Sequence, residues 1–271
     1  MTPQDRRSSC CVLIPCLNEA KAIREVIESV LKLELPVIVI DDGSDDGTRD
    51  IVAEFPVELI RHEQRKGKGE ALRSGFRAAL EGGFAGAVSM DGDGQHVAED
   101  IPRLLSAAAL YPRHIITGAR VIHRDRQPAY RRLANDFADW GISWACGQRL
   151  IDTQSGQRYY PREVLELADI PAEGFVFESD ILIEAAWQKG IRVASVAIES
   201  RYEHTHHRGP RKFRVSHFRP LADFSKITTH VVGKVIRAGF VWDNRRRMLS
   251  EQPLLIDDNQ LPDLPVVSVG E

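Results

Sequence analysis

Residues 37–48 read VIVIDDGSDDGT, an unbroken apolar run that ends at two aspartates. A continuous run of β-branched residues is typical of a strand that is buried on both faces of a parallel sheet. Similar runs read CVLIP at 11–15, VELIR at 57–61 and AGAVSMD at 85–91. Helical patterns separate these runs, and strands that alternate with helices favour a parallel arrangement. The pattern therefore predicts an α/β protein with a doubly wound, Rossmann-like, mostly parallel sheet flanked by helices.

The helical segments follow from the spacing of apolar residues. Residues 20–31 place apolar side chains at intervals of three and four, which predicts an amphipathic helix. The remaining predictions are helices near 48–54, 72–80, 130–147, 181–189 and 226–240, and strands at IITGAR (115–120) and GIRVASVAI (190–198).

Composition limits the class of function. The chain has 271 residues, of which 43% are hydrophobic, enough for a sizeable core. Its net charge of −3 does not favour a nucleic-acid partner. The sequence contains neither the roughly 20 apolar residues of a membrane span nor the pattern of a signal peptide. We expect an uncleaved cytoplasmic protein, in solution or peripheral at the inner face of the membrane, with four reduced cysteines.

Charge is distributed unevenly along the chain. Residues 208–247 hold eleven Lys or Arg against two Asp, whereas 248–271 hold five acidic residues and no basic one. We predict a flexible N-terminus at 1–9, one α/β domain at 10–220, a basic amphipathic helical extension at 221–247 and an acidic flexible tail at 248–271.

Polar residues follow three of the predicted strands, at 15–19, 41–46 and 91–95. Sheets of this class bind ligands beyond the carboxyl ends of their strands, so these segments are expected to share one binding edge. Asp91, Asp93 and Gln95 could present oxygen ligands to Mg²⁺ or Mn²⁺. The alternative for this segment is a solvated Asp-Gly turn.

Two further segments have a binding and a structural interpretation each. Asp41 and Asp42 could accept hydrogen bonds from a ribose or a base, or they could belong to a turn and helix cap. Lys66 and Lys68 in KGKGEAL could neutralise a diphosphate, or this segment could simply begin a helix. His96 could contact a substrate, whereas His204 and His206 lack the partners of a zinc site.

Six motifs in register resemble family 2 glycosyltransferases of the GT-A fold. They read IPCLNE at 14–19, VIVIDDGSDDGT at 37–48, GKGEAL at 67–72, MDGDGQH at 90–96, DTQSGQRYYPREVL at 152–165 and GFVFESDILIEAAWQKG at 174–190. The resemblance covers roughly residues 10–220, and the most similar branch is the dolichyl-phosphate mannose synthase-like group, which transfers sugar to polyprenyl phosphate.

The resemblance implies a role for particular positions. Those matching positions that surround the nucleoside are Pro15, Asn18, Glu19 and Asp42, and those matching the metal and diphosphate site are Asp91, Asp93 and Gln95. Asp41 and Lys68 complete the predicted donor site. Arg120 and Arg131 match arginines that hold an acceptor phosphate, and Ser155 matches the segment that lines the acceptor side. Asn135 stands where that branch often has serine, and Gln157 replaces a usual aromatic residue.

The implied reaction is inverting transfer of a sugar from a UDP- or GDP-sugar to a polyprenyl phosphate or another lipid-linked acceptor, with Asp91 and Asp93 as catalytic residues. A hydroxyl acceptor would need a base, for which Asp180 is preferred over Glu178. The alternative for these two acids is stabilisation of a helix N-terminus. A nucleotide-sugar-binding protein without catalysis is the third hypothesis.

The basic segment 226–247, which ends in Arg245, Arg246 and Arg247, has a separate interpretation. It could lie on an anionic membrane surface, or pack against the domain or against a second copy in a homodimer. Basic residues of 208–219 could also close over the diphosphate.

Overall fold

The computed structural model describes residues 10–122, 129–171, 174, 176–199 and 220–262, with backbone alone at 129–131, 134, 220–227 and 240. Its strands form one mixed sheet, in which the order is β3-β2-β1-β4-β6-β5-β7-β8. All neighbours are parallel except β6, which runs antiparallel to both β4 and β5. The strands are β1 (Cys10–Cys16), β2 (Val37–Asp41), β3 (Glu58–Arg61), β4 (Gly86–Ser89), β5 (His114–Ile122), β6 (Arg158–Pro161), β7 (Arg192–Glu199) and β8 (Leu255–Ile256).

Helices cover both faces of this sheet, which confirms the predicted fold class. They are α1 (Ile23–Leu31), α2 (Thr48–Val52), α3 (Lys68–Glu81), α4 (Ile101–Leu110), α5 (Ala129–Cys146), α6 (Arg162–Leu165), α7 (Val176–Lys189), α8 (Pro220–Arg237) and α9 (Trp242–Ser250).

Successive side chains of a strand point to opposite faces of the sheet, and this creates two hydrophobic cores, one on each face. In β1, Leu13 packs with α3 and α7, while Val12 and Ile14 pack on the opposite face with α1 and α4. In α1 the residues Ile23, Val26, Ile27 and Val30 are all buried, as the interval of three and four requires. The continuous apolar runs thus serve a sheet that is buried on both sides.

The C-terminal segment departs from the prediction of an extension and a flexible tail. Val231 and Val235 of α8 enter the core beneath α5 and α7, each adding about 1.5–3 kcal/mol of burial free energy. Residues 248–262 continue α9 to Ser250 and then add β8 to the edge of β7. The described part of this segment is therefore integrated into the domain; residues 263–271 lie outside the described ranges.

The polar side of α8 also faces protein. The Lys234 ammonium forms ion pairs with Asp180 and Glu184 of α7, and the His230 Nε2 lies 2.8 Å from Asp180. Packing on the domain, one of the alternatives for 226–247, therefore describes this part of α8. Among the helices of the described ranges, none combines the length and hydropathy of a membrane span.

Candidate functional site

The loops after β1 and β2 are held together by hydrogen bonds. The backbone N–H of Asn18 donates to Ser44 Oγ (2.9 Å), and the Asn18 side chain accepts from the Asp45 N–H (2.9 Å). These bonds hold Asn18 at a φ of 56°, a conformation that asparagine tolerates better than most residues. The Glu19 N–H donates to Thr48 Oγ1 (2.8 Å). The predicted donor residues of these two loops are therefore brought to one edge.

Asp42 has a different use from the predicted contact with a nucleoside. It is 3% exposed, and its carboxylate accepts from the N–H groups of Lys66 (2.9 Å) and Gly67 (2.8 Å) and contacts His62 Nδ1 at 2.8 Å. The carboxylate thus fixes the glycine-rich loop at the start of α3. The predicted contact of Asp42 with a nucleoside stays a prediction.

Asp41 is fully buried beside it. One oxygen accepts from the Ser44 N–H at 2.9 Å, and Oδ2 lies 3.8 Å from Arg61 Nε. That second oxygen accepts no hydrogen bond from the described part of the chain. Because a buried acceptor without a donor is costly, Asp41 retains capacity to receive a polar group at this edge.

Lys68 connects this edge to the acidic loop after β4. Lys68 is the first residue of α3 and follows Gly67. Its ammonium nitrogen lies 2.7 Å from Asp91 Oδ1 and 3.1 Å from Glu178 Oε1 of α7. Gly69 allows the approach of α7, since a Cβ there would lie 2.7 Å from the Gly174 carbonyl oxygen. The predicted cationic residue is therefore in place between two carboxylates.

The Asp91 carboxylate is ionised at neutral pH. Burial alone would raise its pKa, but the surrounding charges, with the Lys68 ammonium foremost, outweigh burial, and the pKa lies below its usual range. For Lys68, burial alone would lower the pKa, but the two carboxylates hold it above the usual value. His96 Nε2 lies 3.8 Å from Asp91 Oδ2, and burial lowers the His96 pKa to about 4, so this imidazole is neutral at pH 7.

The backbone around Asp91 is tightly packed. The N–H of Gly92 donates to the Pro15 carbonyl oxygen (3.4 Å), which joins the loop after β4 to the end of β1. On the other side, a Cβ built on Gly156 would lie 2.6 Å from Asp91 Oδ2. The Gly156 carbonyl oxygen is itself held by Ser89 Oγ at 2.7 Å. Only a residue without a side chain leaves room for this carboxylate.

The acidic loop presents carboxylates that could hold a metal ion. Within the described residues, no three His, Cys, Asp or Glu side chains gather as a complete protein cage. Mg²⁺ and Mn²⁺ at nucleotide sites commonly take one or two carboxylates and complete their shell with phosphate oxygens and water. Asp91 and Asp93 fit that smaller set. Gln95 is exposed, and its backbone N–H donates to Asp93 Oδ1 (3.0 Å), so its predicted role as a ligand stays a prediction.

Arg120 is anchored beside this loop by a buried chain of acids. Asp152 accepts from the Arg120 backbone N–H (2.7 Å), Nε (2.8 Å) and Nη2 (2.8 Å). The backbone N–H groups of Asp152 and Thr153 donate in turn to Asp139 of α5, at 2.9 and 2.7 Å. Burial raises the Asp139 pKa to about 6. The guanidinium predicted to hold an acceptor is thus oriented by Asp152, which is itself held by Asp139 of α5.

Comparison with known proteins identifies the family. Residues 11–167 match the sequence model of Glycosyl transferase family 2.

The chain belongs to this family.

Two characterised relatives are enzymes of polyprenyl phosphates. The undecaprenyl-phosphate mannosyltransferase of Micrococcus luteus is 32% identical over 204 residues, which are 69% of this chain and 81% of the relative. The polyprenol monophosphomannose synthase of Mycolicibacterium smegmatis is 29% identical over 204 residues, covering 69% of this chain and 75% of the relative.

A solved structure shares the fold. It is glucosyl-3-phosphoglycerate synthase of Mycobacterium tuberculosis in complex with Mn²⁺, UDP and phosphoglyceric acid, with a TM-score of 0.62 and 22% identity over 87% of this chain and 79% of that one. The predicted family, and with it the predicted fold, is confirmed.

Asp180, the preferred base for a hydroxyl acceptor, does not face this family 2 site. It is 1% exposed on the side of α7 that packs against α8, where His230 and Lys234 hold it. Glu178 precedes it by two residues, and two helical steps rotate a side chain by roughly 200°. Glu178, the less favoured candidate, is therefore the acid that reaches Lys68 and the acidic loop.

The acceptor residues are brought together only in part. Ser155 is fully buried and its Oγ accepts from the Gln157 N–H at 3.4 Å, so its side chain faces the interior instead of an acceptor. Asn135 is half-buried on α5. The side chain of Arg131 lies outside the described residues, as do the histidines of 204–207 and the basic segment 208–219.

Two supporting residues were not predicted from sequence. The Arg158 guanidinium is fully buried and donates to the Glu178 carbonyl oxygen (2.6 Å) and the Thr153 carbonyl oxygen (2.5 Å), which ties α7 to the acceptor segment. Asp139 was overlooked because an acid inside a helical pattern is usually solvated. The sequence did contain a signal for Asp139: it is an acid at a position where the helical interval requires an apolar residue.

Proposed function

We propose that the protein transfers a sugar from a UDP- or GDP-sugar to a polyprenyl phosphate, with inversion at the anomeric carbon. The observation that carries the proposal is the Asp91 carboxylate, held ionised at the end of β4 between Lys68 and Gly156. This position joins the donor edge to the segment that carries Arg120. Names of relatives support the acceptor class, since two of them act on polyprenyl phosphates.

The nucleoside would lie over the loops after β1 and β2. Asn18 and Glu19 are held there by hydrogen bonds of their backbone N–H groups, and the buried Asp41 carboxylate lies at the end of β2. This arrangement places the diphosphate beside Lys68, whose ammonium can exchange a carboxylate for a phosphate oxygen. The Lys68 charge then lies where negative charge grows as the donor bond breaks.

Asp91 and Asp93 would hold the divalent ion that solved neighbours of this fold contain. When bound, such an ion supplies Lewis-acid stabilisation of the departing diphosphate, worth several kcal/mol. Within the chain, Gly156 and Lys68 fix the position of the Asp91 carboxylate, and His96 stays uncharged beside it.

A phosphate acceptor needs no general base, because its oxygen is already ionised at neutral pH. That oxygen forms the new bond to the anomeric carbon while the bond to the diphosphate breaks, and the electron pair of the broken bond leaves with the nucleoside diphosphate. The planar guanidinium of Arg120, oriented by Asp152, suits a phosphate because it can donate two parallel hydrogen bonds.

Glu178 supports a second candidate, transfer to a hydroxyl of a small molecule or glycan. Its carboxylate lies 3.1 Å from the Lys68 ammonium, beside Asp91, so it could accept the proton that a hydroxyl must release. The two candidates differ in their dependence on this residue. Glu178→Gln should abolish transfer to a hydroxyl and leave transfer to a phosphate largely intact.

The first experiment identifies the donor by thermal shift with UDP-, GDP- and dTDP-sugars, each with and without Mn²⁺. One of them should raise the melting temperature in a metal-dependent manner. The second follows transfer of the radiolabelled sugar of that donor to undecaprenyl phosphate. Asp91→Asn should abolish transfer, while Asp50→Asn, an exposed acid on α2, should not. Stabilisation by no donor, or full turnover in the Asp91→Asn variant, would refute the proposal.

A further inference from the structure

Helix α5 carries large apolar side chains on its outer face. Leu133 is 73% exposed, Phe137 is 47% exposed and Trp140 is 43% exposed. Intervals of four and three residues place all three on one side of the helix. The opposite side of α5, with Ile142 and Ala145, enters the core. An apolar stripe on a helix that already buries another face calls for a separate explanation.

Aromatic rings extend this stripe onto α9. Ring centroids are 6.0 Å apart between Phe137 and Trp140, 5.3 Å between Trp140 and Trp144, and 5.8 Å between Trp144 and Trp242. Trp242 is 57% exposed at the first position of α9. The row of rings therefore crosses from α5 to α9.

Helix α8 borders the same stripe. A Cβ on Gly141 of α5 would contact Val231 of α8 at 3.4 Å, so the two helices pack closely. The neighbouring Val232 and Ile236 are exposed by 46% and 51%. We call the surface formed by these apolar residues of three helices the aromatic face: Leu133, Phe137, Trp140, Val232, Ile236 and Trp242.

On the described parts of α8 and α9, exposed positive charges outnumber negative ones, and the exposed acids among the described residues of the three helices are Asp136 and Asp243. Arg246 and Arg247 of α9 and Arg237 of α8 are exposed, and Arg246 follows Trp242 by four residues, on the same side of α9. Lys234, in contrast, faces α7 and is neutralised there. Surfaces that enter the headgroup region of an anionic bilayer typically combine exposed tryptophan and leucine with arginine.

We propose that the aromatic face docks on the surface of an anionic phospholipid bilayer. The inference rests on the proposed function, because a polyprenyl phosphate is itself held in a membrane. It extends the membrane alternative given for segment 226–247 to α5: the apolar side of that segment meets lipid together with α5, while the polar side of α8 packs on α7. Helix α5 also links docking to the site, because its Asp139 supports Asp152 and through it Arg120.

Flotation with vesicles tests the surface. The full-length protein should float with vesicles of equal phosphatidylcholine and phosphatidylglycerol and bind pure phosphatidylcholine at least tenfold more weakly. Phe137→Glu with Trp140→Glu should reduce flotation by at least tenfold. The matched control is Leu110→Glu on α4, where a leucine of 44% exposure lies away from the aromatic face. Equal flotation of the double variant and the control would overturn the proposal.

Tryptophan fluorescence provides a second measurement with conservative variants that should fold. The chain has four tryptophans, at 140, 144, 187 and 242. Brominated lipids should quench the wild type, and Trp140→Phe with Trp242→Phe should remove most of the quenchable signal. Trp187→Phe should keep it, since Trp187 lies on α7 with its indole N–H bonded to the Ala145 carbonyl oxygen at 2.8 Å. Quenching that is lost only in Trp187→Phe would overturn the proposal.

Two outcomes separate this inference from its alternatives. If Phe137→Glu with Trp140→Glu converts a dimer into a monomer and leaves flotation unchanged, the face is an interface with a second copy and the proposal fails. Transfer to a short-chain, water-soluble prenyl phosphate should be unaffected by the same variant. Loss of flotation with transfer intact supports docking, whereas absence of transfer in the wild type refutes the proposed function alone.

Discussion

Gly156→Ala tests whether the position of the Asp91 carboxylate controls turnover. The new Cβ would lie 2.6 Å from Asp91 Oδ2, while ordinary contacts begin at 3.4 Å. One of the two groups must therefore move by about 0.8 Å. The backbone of residue 156 is held by the hydrogen bond from Ser89 Oγ, so the carboxylate is expected to yield.

The displacement should lower kcat much more than it lowers stability. A misplacement of about 1 Å in a catalytic group can cost about 100-fold in rate, so we expect a decrease of roughly 30- to 100-fold. The melting temperature should change by only a few degrees, because replacing glycine by alanine also restricts the unfolded chain by about 0.4–1 kcal/mol. The Lys68–Asp91 contact of 2.7 Å should lengthen.

The assay is initial-rate transfer with the identified donor, together with Mn²⁺ binding followed by electron paramagnetic resonance. Gly233→Ala is the control, because its Cβ would meet only the Arg237 side chain at 3.6 Å and should leave the rate unchanged. A kcat of Gly156→Ala within threefold of the wild type would show that the fit between Gly156 and Asp91 is not important for turnover.

Three further predictions follow from the buried charges and thiols. Asp180→Asn should remove the negative charge shared by His230 and Lys234. We expect this to cost about 3 kcal/mol and to lower the melting temperature by roughly 6–12 °C, with little effect on kcat. A large rate loss at unchanged stability would restore Asp180 as the base. Burial acts to raise the Asp180 pKa, but hydrogen bonds from His230 and Lys234 hold it below its usual range. The contribution of Asp180 to the free energy of unfolding is therefore present above about pH 4. It is lost as the pH falls through the pKa of Asp180 in the folded state, which is lower than in the unfolded chain. Urea unfolding between about pH 7 and pH 3 should show this loss in the wild type but less in Asp180→Asn, and parallel curves would contradict it. Burial raises the pKa of the Cys11 and Cys16 thiols above the usual value and that of Cys146 to about 12. Near pH 8 the native protein should therefore react slowly with a thiol reagent, and the unfolded protein should react quickly. Fast labelling of the native protein would contradict this packing.

The part of the fold that depends on local pattern was predictable from sequence. Strands β1, β2 and β4 are continuous apolar runs, and their polar ends at Asn18, Asp41 and Asp91 meet at one edge because parallel strands must align there. The location of this polar edge followed from that rule. Lys68 was also identified, although its partner Glu178 comes from a helix more than 100 residues later in the chain.

The remainder depends on contacts between distant segments. Strand β6 spans only Arg158–Pro161 and contains a fully buried arginine, so nothing in its pattern indicates a strand. Strand β8 has two residues and exists through its pairing with β7. The choice between Glu178 and Asp180 required the rotation of α7, which is set by the packing of α8. Sequence spacing alone separates these two acids but does not say which of them faces the site.

The antiparallel strand β6 makes the two halves of the sheet depend on each other during synthesis. It pairs with β4 on one side and β5 on the other, and β4 and β5 have no direct pairing. In the nascent chain one edge of β4 therefore stays unpaired until Arg158–Pro161 leaves the ribosome. At about 5–20 residues per second, that delay lasts roughly 4–14 s. We expect fragments that end before residue 158 to aggregate through this unpaired margin, and chaperones to bind the growing chain during that interval.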